Sequence, residues 1–300
     1  MATPSIRLPA ALAVLLCAAS ASAQKPGPNA APPGTAAPHS SGDWGPDEGA
    51  LRNKTADIVF KLLQTAKDGV EVDGKKVVYA KTPDMVVDLN NTVIGGSPAA
   101  AFSAGLGMNS PGRTIGGKDH SANDLIYLTN ALYTMADQPE AAMFIAHEIG
   151  HLANGDAKTL EEKKKDIISK MFDEWTVVNS VPDGEPSSVT VNRFFKDSGA
   201  KVQEKLNPIQ QPLEDAADRY GRALAVKAGY PVEASVSSFQ RAQDWLWALK
   251  LDLTDPNHAG SVADRAKKNA QWAAETKAAK ERAAAATRRA KCASEGTSCQ

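Results

Sequence analysis

The 300-residue chain has few cysteines, few aromatic side chains and almost no net charge. Three cysteines are too few for the fold to depend on disulfides, and no run of 18 apolar residues indicates a membrane-spanning helix. Since 34 basic residues face 35 acidic ones, the electrostatic signature of a nucleic-acid-binding protein is missing. No internal repeat is visible. The function must therefore depend on a local motif rather than on overall composition.

The first 23 residues have the form of a secretory signal peptide. A single arginine precedes a short apolar run over residues 8–19, and Ala21-Ser22-Ala23 forms a small-residue cleavage site. This leader (residues 1–23) predicts export, to a bacterial periplasm or to the medium. Cys17 would offer a lipid anchor instead, but the bulky residue before it does not fit that processing signal.

The rest of the chain divides by composition. Residues 24–48 are rich in Pro, Ala and Gly, and we expect a flexible linker there. Residues 49–291 are long enough for one sizeable domain. The tail, residues 292–300, contains Cys292 and Cys299, which in an exported protein predict one small disulfide loop.

The most informative motif is His147-Glu148-Ile149-Gly150-His151. The two histidines are four residues apart, so on a helix their rings lie on the same face. Two neutral imidazoles can bind a zinc ion and leave coordination positions open. Glu148, beside the first histidine, can take a proton from a water molecule. The motif therefore predicts a zinc site that hydrolyses peptide bonds.

The sequence around the motif predicts a mostly buried helix. Asp137 can cap its start, Pro139 is tolerated in the first turn, and Asn154-Gly155 offers a stop. Gly150 lies inside this helix, where it lowers stability by about 1 kcal/mol relative to alanine. We therefore expect another segment to approach the helix closely at this glycine.

The third ligand is open from the residues alone. Ala157 stands where the metzincin pattern has a third histidine, which excludes that pattern. Glu174, 23 residues beyond His151, is one candidate. Glu214 is another, because Asp218 lies four residues later on the same helix face and could orient a ligand histidine. The alternative for that pair is an ordinary solvated acidic face.

Ala-His-Glu-Ile-Gly-His, followed about 60 residues later by Glu-x-x-Ala-Asp-x-x-Gly, resembles the HtpX/BepA/CaaX-endopeptidase family of zinc metallopeptidases. The resemblance implies that His147, His151 and Glu214 bind one zinc ion per chain. It makes Glu148 the general base and Asp218 the residue that orients a ligand histidine. It also implies a polypeptide substrate bound as an extended strand. The near-zero net charge predicts no nucleic-acid partner, and the lack of a long apolar run predicts no transmembrane segment in the mature chain.

The fold implied by the resemblance is an α+β, predominantly helical, zincin-like metallopeptidase domain with a small mixed sheet and an active-site helix. Residues 157–211 form an insert between the two metal helices and can shield the cleft. Many relatives have His-Pro and then an arginine six residues after the histidine. Here Ala259 follows His258 in place of the proline, and Arg265 comes seven residues after the histidine. His258 and Arg265 are candidate transition-state stabilisers, or simply surface residues.

Two functions follow from these patterns. The first is a zinc-dependent metalloendopeptidase of the HExxH gluzincin type that cleaves extended or unfolded polypeptides, for instance in protein quality control of the envelope. The second is a non-catalytic or latent zinc-binding protein with a chaperone-like or scaffold role, latent if residues 157–211 or His258 block the cleft. Glu148 favours the first, because a structural zinc site needs no general base. The sequence gives no indication of the oligomeric state.

Overall fold

The computed structural model of the protein describes residues 47–88, 101–104, 114–115, 118–119, 124–129, 132, 138–179, 187–248 and 262–295. Outside these ranges lie the predicted signal peptide (1–23), nearly all of the predicted linker (24–48), His258 and Cys299. Within the described part of the chain, no helix is both long and apolar enough to cross a membrane.

Helices dominate the described residues. They are α1 (Asp47–Lys67), α2 (Gln138–Asn154), α3 (Asp156–Val178), α4 (Ser187–Lys227), α5 (Ala234–Ala248) and α6 (Val262–Glu295). The strands are short: β1 (Val70–Val72), β2 (Lys75–Val77), β3 (Asp84–Asp88), β4 (Ala101–Ala104), β5 (Thr114–Ile115), β6 (Lys118–Asp119) and β7 (Leu125–Thr129). The predicted α+β, predominantly helical architecture is therefore confirmed.

The largest sheet is mixed, as predicted. Its order is β3-β7-β4, with β3 parallel and β4 antiparallel to the central strand β7. Strands β1 and β2 form a separate hairpin whose turn residues, Asp73 and Gly74, have φ of 50° and 72°. Positive φ at both central residues matches the right-handed twist of the flanking strands. Strand β4 contacts α2, so the sheet lies next to the helix that contains the histidine motif.

The main apolar core lies between α1, α2 and α4. Leu62, Ile145, Ile149 and Leu224 are completely buried in it. Buried core residues recur every four positions on each helix, which is why one face of each helix turns inward: Ile58, Leu62 and Ala66 on α1, Ile145 and Ile149 on α2, and Tyr220 and Leu224 on α4. The core thereby fixes α2 against the C-terminal half of α4.

A second apolar core lies between α3 and the first half of α4. Phe172, Trp175, Phe194 and Leu206 are among its buried members. Edge-to-face contacts join Phe194 to Phe172 and to Trp175, with ring centroids 5.3 and 5.8 Å apart. The segment predicted as an insert thus contains a helical hairpin, called here the helical arm (residues 156–179 and 187–206).

Candidate metal centre

Helix α2 presents the histidine motif on one face and apolar side chains on the other. Ala142, Ile145 and Ile149 are fully buried, whereas the side chains of His147 and His151 each keep 15% of their surface exposed. The two imidazoles meet with their Nε2 atoms 3.1 Å apart. The spacing of four residues therefore produces the paired imidazoles that the sequence predicts.

Two glycines allow α2 and α4 to cross with their backbones in contact. A Cβ atom on Gly150 would lie 2.7 Å from the carbonyl oxygen of Ala217, and one on Gly221 would lie 2.7 Å from the backbone nitrogen of His147. Real Cβ atoms do not approach backbone atoms this closely, so neither position can accept a side chain without movement. The close approach expected at Gly150 is present, and it brings the acidic segment of α4 to the histidines.

Glu214 completes a group of three potential metal ligands. Its carboxylate oxygens lie 3.3 Å from Nε2 of His147 and 3.5 Å from Nε2 of His151. Among the described residues, this trio is the group that could hold a metal ion. Ligands about 2.0–2.2 Å from a tetrahedral zinc would lie roughly 3.3–3.6 Å from one another, so the donor atoms fit that ion. Glu174 is exposed on α3 and outside the trio, which favours Glu214 as the third ligand.

Asp218 lies behind the first histidine. The Nδ1 atom of His147 donates to Oδ1 of Asp218 across 2.8 Å, and the aspartate side chain is only 7% exposed. This contact leaves Nε2 of His147 directed at Glu214. The geometry is that of a carboxylate orienting a metal-binding imidazole.

Arg265, on the first turn of α6, reaches into the same group of charges. Its guanidinium donates twice to Asp218, with both distances 2.8 Å, and lies 2.9 Å from Oε2 of Glu214. At 6% exposure the arginine is buried, so these contacts are shielded from water. The structure thus places Arg265 against Glu214, a candidate ligand, and against Asp218 behind His147. His258, the other candidate transition-state stabiliser, lies outside the described residues.

A contact that the sequence patterns did not predict involves the second histidine. The Nδ1 atom of His151 lies 2.9 Å from Oδ2 of Asp156, the first residue of α3. Asp156 comes only two residues after Asn154, at which α2 ends as predicted. The sequence therefore contained a signal for this contact, namely an aspartate directly after the helix stop and five residues beyond a candidate ligand histidine.

The electrostatics of the trio are dominated by its carboxylates and by Arg265. Burial lowers the pKa of His147, but hydrogen bonds to Asp218 and Glu214 outweigh burial and raise it above its usual value. Burial also lowers the pKa of His151, yet the charge of Glu214 raises it well above that value. Burial raises the pKa of Glu214, whereas the charges of Arg265 and His151 hold it well below its usual range. A binding metal ion therefore meets an ionised carboxylate and displaces protons from the histidines.

Glu148 lies next to this group on α2. It is 7% exposed, and its charge contributes to the raised pKa values of His151 and Arg265. A buried carboxylate within electrostatic reach of the histidines is suitably placed to exchange a proton there.

The predicted tail disulfide lies far along α6 from these residues. Cys292 is disulfide-bonded, but Cys299 lies outside the described residues. The pairing of Cys292 with Cys299 therefore stays a prediction.

Comparison with known proteins identifies one family. The model of peptidase family M48 matches residues 116–273, which is more than half of the chain. The matched region contains the whole of the trio, Glu148, Asp218 and Arg265. No curated protein and no solved structure matches the chain.

Proposed function

The chain belongs to peptidase family M48, and we propose that it is a zinc-dependent metalloendopeptidase that cleaves extended or unfolded polypeptides. The observation that carries the proposal is the group of His147, His151 and Glu214, whose donor atoms are 3.1, 3.3 and 3.5 Å apart. Two imidazoles and one carboxylate are a donor set found in catalytic zinc sites, where the fourth position stays open for water or substrate.

The residues around the trio divide the chemistry between them. When bound, zinc supplies Lewis-acid chemistry, lowering the pKa of a water molecule and polarising the substrate carbonyl. Glu148 accepts the proton of the attacking water and transfers it to the amine nitrogen of the leaving fragment. Asp218 keeps His147 oriented, and Arg265 offsets the negative charge of Glu214 and Asp218. In this assignment Arg265 acts on the ligand Glu214 and on Asp218 rather than on the transition state.

An extended substrate is supported by the sheet beside α2. Strand β4 pairs with β7 on one side, and no described strand pairs with its other side. A free strand edge can pair with a substrate backbone through main-chain hydrogen bonds, whatever its sequence. We propose that the substrate adds to β4, which would favour unfolded chains over folded ones.

We propose from the sequence that the protein is exported and acts in the cell envelope or outside the cell. The predicted signal peptide supports export, and a peptidase acting on unfolded chains would suit quality control of envelope proteins. The rival function, a non-catalytic zinc protein, differs in one testable respect: it does not require Glu148 to transfer a proton.

The test compares the full-length protein with its Glu148→Gln variant on a reduced and alkylated globular protein as substrate. We expect the wild type to cleave with zinc present. The variant should bind zinc normally and lose about 10²–10⁴-fold in rate, since only the proton-transferring oxygen is replaced. Glu162→Gln, an exposed site on α3, is the matched control and should keep full activity. Equal cleavage by wild type and Glu148→Gln would contradict the mechanism, and silence from both with zinc bound would favour the non-catalytic protein.

A further inference from the structure

Both histidines of the trio have an aspartate behind them, although the two aspartates come from different helices. His147 is paired with Asp218 of α4 at 2.8 Å, and His151 with Asp156 of α3 at 2.9 Å. In both pairs Nδ1 faces the aspartate and Nε2 faces Glu214. We propose that Asp156 is a positioning residue of the metal site, holding His151 with its proton on Nδ1 and Nε2 free for the metal. This inference rests on the proposed zinc site.

The chain reaches this arrangement through a turn of one residue. Helix α2 ends at Asn154, and α3 begins at Asp156. Between them Gly155 has φ 71° and ψ 26°, and its nitrogen donates to the carbonyl oxygen of Leu152. A left-handed residue at this point is the usual way to end a helix, and glycine adopts it without steric cost. The sharp turn brings the first side chain of α3 back alongside the last turn of α2.

The surroundings of Asp156 are those of a residue directed inward. Its side chain is 8% exposed, although a first-turn acidic residue that serves only its own helix can remain in water. It lies at the N-terminus of α3, where the helix dipole favours a negative charge. Asp218 is stabilised by Arg265 instead. The two carboxylates therefore do the same task with different sources of positive charge.

One consequence concerns the helical arm. The arm begins at Asp156, and α4 continues beyond the arm to Glu214, so a carboxylate of the site lies on either side of the arm along the chain. Orientation of His151 is thereby tied to the point at which α3 starts. Deletions within the arm should be compatible with metal binding only if they keep Asp156 in place.

The experiment measures zinc affinity of the metal-free, full-length protein by competition with a chromophoric chelator. We expect Asp156→Ala to weaken zinc binding by about 10–100-fold, the usual effect of losing such a partner. Asp156→Asn should lose less, since its amide oxygen still accepts a hydrogen bond and its shape is nearly unchanged. Asp166→Ala, at an exposed position of the same helix, is the matched control and should bind as the wild type does.

A second readout separates positioning from helix stability. In nitrogen-15 NMR spectra of the zinc-loaded protein, Asp156→Ala should remove the slowly exchanging Nδ1–H signal of His151 and keep that of His147. Asp218→Ala should do the reverse. If the alanine variant does not fold, Asp156→Asn takes its place: a neutral amide oxygen accepts more weakly than a carboxylate, so the Nδ1–H of His151 should exchange faster than in the wild type while that of His147 is unchanged.

Three results would overturn the proposal. Wild-type zinc affinity in both Asp156 variants would do so, as would an unchanged Nδ1–H signal of His151. A lower melting temperature of the metal-free variant with unchanged zinc affinity would assign Asp156 to helix stability alone. Each of these results would leave zinc binding by the wild type, and with it the proposed function, intact. If the wild type itself bound no zinc, the proposed function would fail as well, so the two failures are distinguishable.

Discussion

The described residues form two apolar cores, and of these two only the one between α1, α2 and α4 surrounds buried charges. Around the crossing of α2 and α4, the buried residues include Glu148, Asp218 and Arg265. In the described part of the helical arm beyond Asp156, every buried residue is uncharged. Burying ionised groups is costly unless they are paired, so their concentration in one place marks the region built for chemistry. The buried residues of the helical arm serve to pack α3 against the first half of α4.

The two regions share helix α4, so the difference between packing and charged residues is found within a single helix. Helix α4 runs from Ser187 to Lys227 without a break, although Pro208 and Pro212 lie inside it. Each proline removes a backbone donor, and so weakens the helix just before Glu214. The same helix therefore packs aromatic residues in its first half and presents a candidate ligand in its second.

The largest effect on the site should come from Arg265. Replacing it with methionine leaves Glu214 and Asp218 as buried carboxylates without their cation, which costs about 3–5 kcal/mol when one partner of a buried pair is removed. We expect urea denaturation of the metal-free protein to report this loss, and added zinc to recover part of it. Arg282→Met, at an exposed position on the same helix, should change stability by no more than about 0.5 kcal/mol. Equal effects of the two variants would show that the charges are not coupled as described.

A substitution in the helical arm should cost a comparable amount of stability but leave zinc binding intact. Phe194→Ala removes a fully buried ring from the second core and should cost about 3–5 kcal/mol. Because that core is separate from the trio, zinc affinity should stay within a few-fold of wild type, while hydrogen exchange in the arm accelerates. Val178→Ala, whose wild-type side chain is 81% exposed, is the control. A folded Phe194→Ala protein that binds no zinc would contradict the separation of the two regions.

The smallest of the three expected losses of stability comes from Gly221→Ala, a change made directly at the candidate metal centre. Its Cβ would meet the backbone of His147, so we expect overpacking to cost about 1–3 kcal/mol and to weaken zinc binding by moving α4 away from α2. Gly199→Ala is a matched control in the same helix, since no atom lies within 4 Å of the added Cβ. It should be neutral, or stabilising by up to about 1 kcal/mol. If Gly221→Ala behaved like Gly199→Ala in thermal melts and zinc titrations, the backbone crossing would not position the ligands.

Local signals predicted the metal helix well. A proline in the first turn and Asn154-Gly155 at the end predicted the bounds of α2, which runs from Gln138 to Asn154. The four-residue spacing of Glu214 and Asp218 predicted a shared helix face, and both face the histidines. Helical periodicity and capping are short-range effects, and therefore they can be read from a single sequence.

Long-range packing could not be predicted in this way. Arg265 meets Asp218 across 47 residues of sequence. The family resemblance marked Arg265 as a candidate for stabilising the transition state, but no local pattern indicates that its guanidinium turns inward to Asp218 and Glu214. The contact between Asp156 and His151 was not predicted, because Asp156 belongs to the next helix. It reaches His151 only through the left-handed turn at Gly155. The second core was also not predicted, because α3 is rich in charged residues, as a solvated helix is, and no short-range pattern indicates that Phe172 and Trp175 pack against α4.

The most direct test of the account is the zinc content and zinc affinity of the full-length protein beside two single variants. We expect one tightly bound zinc ion in the wild type, unchanged binding in Glu174→Ala, and strongly weakened binding in Glu214→Ala. Wild-type affinity in Glu214→Ala would contradict the central claim that this carboxylate and the two histidines of α2 form the metal centre.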